Sequence, residues 1–336
     1  MTLRLADSWI WDSWYAFDGE LHHAFYLRAS RDLGDPELRH RHPHVGHATS
    51  SDLRNWTVLP DALSPSEEPA FDDWTTWTGS VVRDESGTWW MFYTGSTHSD
   101  GGLVQRVGAA TSEDLITWTK AKDVPILEAD FRWYEELDTD FWHDQAWRDP
   151  FVFQHNFGMW HMLVTARTKT GPTRDRGVLG HCVSRDLRHW TVLEPLTPPG
   201  AGFGQMEVAQ VEEVDGTPTL LFSCGTAELS EEARSRYGSG GVFSVTGPST
   251  LGPFDITTAT RFPTDSVYAG RLVQHNGSWG LIGFRNIEND EFVGEITDPT
   301  PVTSIPGLGL IPTDAFGRSL RGTWSPQDRH ERQGQA

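Results

Sequence analysis

Ala48-Thr49-Ser50-Ser51-Asp52-Leu53-Arg54-Asn55-Trp56-Thr57 returns twice later in the chain. The second copy is Ala110-Thr111-Ser112-Glu113-Asp114-Leu115-Ile116-Thr117-Trp118-Thr119, and the third is Cys182-Val183-Ser184-Arg185-Asp186-Leu187-Arg188-His189-Trp190-Thr191. Ser-x-Asp-Leu followed by x-x-Trp-Thr reads as a strand, a tight turn and a second strand. An Asp at that place can accept from nearby backbone N–H groups, and the Trp can anchor the turn. Recurrence at wide intervals points to an architecture built of repeats.

Working outward, a second series runs out of phase with the first. Each member is a short strand, a polar turn and an aromatic, apolar strand. The leading positions are Asp12, Gly79, Asp149, Glu207 and Ala269, spaced by 67, 70, 58 and 62 residues. Each interval holds about four strands of ordinary length with their loops. Long helical periodicity is nearly absent. The expectation is an all-β fold, a five-bladed β-propeller of four-stranded antiparallel blades with its site at the central axis. An irregular β-sandwich is the competing architecture, and five matched strand pairs weigh against it. The propeller is expected over residues 1–316, with a polar tail over residues 317–336.

The totals narrow the partners. Lys and Arg number 27 against 47 Asp and Glu, a formal charge of −20. Such a chain repels phosphate backbones and anionic bilayers, which argues against nucleic acid and membrane. A neutral carbohydrate fits this charge. The 16 tryptophans are mostly expected in the core, with some free to stack on sugar rings. Two cysteines, Cys182 and Cys224, suit a reducing compartment, and no secretory signal is visible at the N-terminus. The expected location is the cytoplasm.

In a propeller the innermost strands line the axis. Three of them carry an acid amid apolar neighbours: Asp12 in Trp9-Ile10-Trp11-Asp12-Ser13-Trp14, Asp149 in Trp147-Arg148-Asp149-Pro150, and Glu207 in Gly204-Gln205-Met206-Glu207-Val208. One such acid is usually a satisfied structural group. Three at matching places repel one another in a water-poor channel unless a cation such as Arg148, or a function, compensates. Glycoside hydrolysis needs such a set.

These residues resemble clan J of the glycoside hydrolases, families 32 and 68. Trp11-Asp12-Ser13-Trp14 is similar to the nucleophile segment of family 68. Thr78-Gly79-Ser80 resembles the aromatic-Ser-Gly-Ser segment of the second blade. Arg148-Asp149-Pro150 is the most specific match, and Tyr268-Ala269 resembles a Tyr-Ala pair in the last blade of family 32. The likeness runs over about residues 5 to 300. It implies a β-fructofuranosidase-like enzyme with Asp12 as nucleophile, Asp149 as transition-state stabiliser and Glu207 as acid/base. The substrate-binding candidates are Trp11, Trp14, Trp77, Ser80, Arg148, Tyr268, Arg271 and His143. No cofactor is expected.

Three departures from family 32 stand out. Trp11-Asp12-Ser13 replaces Asn-Asp-Pro, Val208 follows Glu207 where Cys is usual, and no C-terminal β-sandwich is expected. They suggest an outlying branch. The alternatives are a fructosyltransferase, an inverting family 43-like arabinofuranosidase or xylosidase, and a sugar-binding propeller without catalysis.

Other features read as structure. His42, His44 and His47 are expected on a loop and edge strand at the pocket rim rather than around a metal. Gly200-Ala201-Gly202-Phe203-Gly204 does not open a helix and is read as a loop into the fourth blade, not a phosphate cradle. The loops at 30–44, 126–146 and 226–240 are expected at the pocket mouth.

Overall fold

The computed structural model describes residues 2–122, 126–155, 158–264 and 266–314. The expected tail at 317–336 lies outside the described residues. The first blade is β1 (Ser8–Phe17), β2 (His22–Ser30), β3 (His44–Ser50) and β4 (Thr57–Leu63). The second is β5 (Thr75–Arg83), β6 (Trp89–Ser96), β7 (Arg106–Ser112) and β8 (Thr119–Lys120). The third is β9 (Trp147–His155), β10 (Met159–Arg167), β11 (Gly177–Ser184) and β12 (Trp190–Leu193). The fourth is β13 (Glu207–Val214), β14 (Thr217–Cys224), β15 (Gly241–Thr246) and β16 (Thr260–Arg261).

All four are antiparallel meanders in chain order. The fifth departs from the expected four strands. Its order is β17 (Val267–His275), β18 (Ser278–Glu288), β20 (Thr300–Ile305) and β21 (Gly309–Pro312), and β19 (Glu291–Ile296) also pairs with β18. Successive inner strands β1, β5, β9, β13 and β17 touch, and β17 returns to β1, so the ring closes.

The second strands of the blades read as long apolar runs because both faces lie against neighbouring blades. Phe25, Phe92, Met162, Leu163, Leu220 and Phe222 are fully or almost fully buried. The repeated turn explains itself in atoms. Asp52, Asp114 and Asp186 each accept from the backbone N–H groups two and three residues on, at 2.7–2.9 Å. Leu53, Leu115 and Leu187 take φ values of 60°, 62° and 63° and are completely buried. A left-handed Leu costs on the order of 1 kcal/mol, and burying its side chain returns about 2 kcal/mol, so burial wins. The turn tryptophans join blades: Trp118 meets Phe25 edge to face, and Trp190 meets Phe92 in the same way.

Closure of the ring uses the chain start. Ile296 N donates to Leu3 O at 3.0 Å. His22 Nε2 and His275 Nδ1 lie 2.9 Å apart, joining the first and fifth blades. Cys182 and Cys224 are buried free thiols.

Candidate active site

Every inner strand carries a β-bulge at the same height. The pairing register slips after Trp11, Trp77, Arg148, Glu207 and Tyr268. The extra residue lets the strand bend and re-aims its side chains. Two stacked rings result. One holds Trp11, Trp77, Arg148, Glu207 and Tyr268. The other holds the residues that follow them, Asp12, Thr78, Asp149, Val208 and Ala269. Asp12, Asp149, Val208 and Ala269 have positive φ, at 28°, 58°, 53° and 47°.

This corrects the sequence alignment of the three acids. Asp12 and Asp149 are equivalent, but Glu207 sits one residue earlier in its repeat, and its counterparts are Arg148 and Tyr268. The one-residue offset places Glu207 in the other ring from the two aspartates. All three acids line one cavity of about 560 Å³, with Trp11, Trp77, Thr78, Arg148, Val208 and Tyr268.

Each acid has its own environment. Asp12 Oδ2 accepts from the Thr78 hydroxyl at 2.5 Å. Burial, then the charge of Asp149, raises its pKa to about 7, against the opposing pull of the Thr78 bond. Asp149 Oδ2 accepts from the Thr165 hydroxyl at 2.8 Å and from Val208 N at 3.2 Å. Burial raises its pKa as well, with Arg148 opposing most strongly. Glu207 is held at both oxygens: Arg148 Nη2 donates to Oε1 at 2.6 Å, and the Tyr268 hydroxyl donates to Oε2. Burial, then the neighbouring Glu207 charge, pushes the Tyr268 phenol well above its usual range. The Arg148 guanidinium also lies 3.6 Å from Asp149 Oδ2. Burial works against its charge, yet Asp144, Glu207 and Asp149 together hold its pKa above the usual value.

The predicted binding residues divide. Trp11, Trp77, Arg148, Tyr268 and His143 line the cavity. Trp14, Ser80 and Arg271 do not. Trp14 faces the other way and stacks on Phe25 in the core. Ser80 Oγ accepts from Val152 N at 2.9 Å and ties the second blade to the third. Arg271 is 2 % exposed and donates to the carbonyls of Ala209 at 2.7 Å and of Val208 and Gly79 at 3.3 Å. It bridges the bulges of blades two and four, and its charge lowers the Asp12 pKa.

The three histidines expected at the pocket rim separate as well, and none of them lines the cavity. His42 bonds Leu38 O, His44 bonds Ser64 Oγ, and His47 on the third strand of its blade bonds His23. Among the described residues no group of three His, Cys, Asp or Glu side chains is placed to hold a metal.

Sequence reading missed several wall residues. Arg39, His40 and Arg41 come from the 30–44 loop, and Gln105 and Asn286 from later blades. Arg39 is 7 % exposed, with its guanidinium 3.8 Å over Phe292 and 5.7 Å from Trp11. The expectation that this loop forms the mouth was the available signal; nothing in its composition singles out one arginine.

Known proteins share sequence and fold with this chain. The chain is 32% identical over 151 residues to the insoluble β-fructofuranosidase isoenzyme CWINV2 of Arabidopsis thaliana, covering 43% of this chain and 22% of the relative. It is 30% identical over 163 residues to sucrose-6-phosphate hydrolase of Bacillus subtilis, covering 48% and 29%. The matched stretch spans less than a third of either relative's length.

Among solved structures, the family 32 β-fructofuranosidase of Bombyx mori superposes with TM-score 0.71 at 21% identity, covering 93% of this chain and 64% of that one. The inulosucrase of Halalkalicoccus jeotgali bound to kestose superposes at 0.69 and 18%, covering 94% and 89%. These show the same fold. The model of the glycosyl hydrolases family 32 N-terminal domain matches residues 13–278, a span that begins just after Asp12 and includes Asp149, Glu207 and Tyr268. The chain therefore belongs to glycosyl hydrolase family 32.

Proposed function

We propose that the protein is a glycosidase that removes a terminal β-fructofuranosyl unit with retention, through a covalent glycosyl-Asp12 intermediate. One observation carries this reading: Asp12, Asp149 and Glu207 share a single cavity, and each has a different set of partners. Environments that differ are what allow carboxyl groups to take different roles.

In the first step Asp12 attacks the anomeric carbon, while the Glu207 carboxyl gives its proton to the leaving oxygen. In the second, Glu207 takes a proton from water, the water oxygen bonds to the anomeric carbon, and the bond to Asp12 breaks. Asp149, deeply buried and held by Thr165 and Val208 N, is fixed to accept from sugar hydroxyls as the ring flattens. Trp11 and Trp77 offer apolar faces to the ring.

The experiment is product analysis against sucrose, inulin, levan and arabinan, with the anomer read by NMR in the first minutes. Release of β-fructose supports the proposal. Release of the inverted anomer, or turnover of arabinan alone, would overturn it. The Asp12→Asn variant should fold and lose at least a thousandfold in kcat/KM, the scale expected on losing a nucleophile.

A further inference from the structure

Arg148 is held on three sides by groups from outside the acid triad. Gln105 Oε1, from the second blade, accepts from Nη1 at 3.1 Å. Asp144 Oδ2, from the loop entering the third blade, lies 3.4 Å from the same nitrogen. Gln205 Oε1, just ahead of the fourth blade, accepts from Nη2. The grips are themselves linked, since Gln105 Nε2 donates to Asp144 Oδ2 at 2.8 Å and Gln105 Oε1 also accepts from Trp147 N at 3.2 Å. Gln105 and Gln205 are almost wholly buried, and Asp144 is nearly so. Gln205 Nε2 and Asp144 Oδ1 are buried without a protein partner.

We propose that Asp144, with Gln105 and Gln205, is a positioning residue that aims the Arg148 guanidinium at Glu207 and sets how much of its charge the site acids receive. This deepens the glycosidase reading and rests on it. Two neutral amides fix direction without charge, whereas Asp144 alone among the three carries one. Arg148 then faces three carboxylates: Asp149 and Glu207 in the cavity, and Asp144 behind it. His143 stands 3.6 Å from Asp144, and His40 and Glu228 feel the Arg148 charge from farther away. During turnover the Glu207 proton leaves and returns, so its hold on Arg148 changes with each step. Asp144 does not take part in that exchange and keeps the guanidinium in place.

The variants Asp144→Asn and Gln205→Glu change charge with little change of shape. Gln205 Nε2 has no partner to lose. Removing the Asp144 charge leaves more of the Arg148 charge for the site, which favours the ionised acids. The kcat/KM profile should move to lower pH by about half a unit to one unit. Gln205→Glu adds a charge and should move it the other way by a similar amount. Asp144→Glu should restore the wild-type profile.

A 13C titration of the side-chain carboxyls, with Glu207 assigned through Glu207→Gln, reads the same displacement without substrate. Opposite shifts in the two variants support the proposal. Uniform loss of activity with no shift, or shifts of the same sign, would overturn it. If the wild type cleaves none of the fructosides, the functional reading fails, and the carboxyl titration decides the role of Asp144 by itself.

Discussion

The Thr78 hydroxyl donates to Asp12 Oδ2 at 2.5 Å, a bond from the second blade to the acid of the first. It opposes the burial and the Asp149 charge that raise the Asp12 pKa to about 7. Thr78→Val keeps the shape and removes the donor. The Asp12 carboxylate then loses its stabilising partner, so its pKa rises further. The acid limb of kcat/KM should move to higher pH by about one unit, which one strong hydrogen bond to a charged group supports. Activity well above that limb should change little. A pH–rate series on both proteins checks this, and an unmoved limb would count against Asp12 as the ionised nucleophile.

Asp12 also makes the fold less stable at neutral pH and above. Its pKa is about 3.8 in the unfolded chain and about 7 when folded, so the folded state binds the proton more tightly between those values. Stability contributed by this group is present below about pH 3.8 and is lost as pH rises through 7. Asp12→Asn removes the charge that must be buried. At pH 8 the variant should be more stable than wild type by on the order of 2 kcal/mol, reduced from the full shift because Asp12 keeps one side to the cavity. The gap should close near pH 4. Urea titrations at the two pH values test it.

The Ser-x-Asp-Leu turns were legible in the sequence because their chemistry is local. Asp52, Asp114 and Asp186 bond backbone N–H groups within three residues, so the signal lies in a short string. The convergence of Asp12, Asp149 and Glu207 was legible because the blade count brings inner strands to one axis. The offset of Glu207 was not. It depends on bulges whose extra residue is Asp, Thr, Val or Ala in turn, with no shared residue type to mark it. Trp14 was misplaced for a related reason: strand alternation turns it to Phe25 once Asp12 is bulged out. The Gln105–Asp144–Gln205 grip on Arg148 draws one residue from each of three blades, and only the closed ring shows it.

Removing a turn aspartate should cost stability and spare chemistry. Asp114 Oδ1 accepts from Ile116 N at 2.8 Å and Thr117 N at 2.7 Å, and from the Ser112 hydroxyl at 3.0 Å. These bonds hold Leu115 in its left-handed conformation beneath the turn. Asp114→Ala should lower stability by about 1–2 kcal/mol, comparable with losing a helix cap. kcat and KM should stay within about twofold, since no residue of the turn lines the cavity. A urea midpoint shift without a kinetic change meets the expectation.

Acid should loosen the blades through their histidine pairs. His22 faces His275, His23 faces His47, and His161 faces His181, each at 2.9 Å between ring nitrogens. Two protonated rings cannot share such a contact. Burial, and then the neighbouring imidazole, lowers the pKa of His22 and His181 to about 4 and that of His47 to about 3. The unfolded chain takes up these protons near pH 6.5. Stability from the pairs is therefore full above about pH 6.5 and falls as pH drops through the window from 6.5 to about 4. The double variant His161→Gln, His181→Asn keeps hydrogen-bonding groups without titrating. Its Tm should fall less steeply than that of wild type across this window, while the two run parallel above pH 7. Equal slopes throughout would show that the pair does not titrate on unfolding.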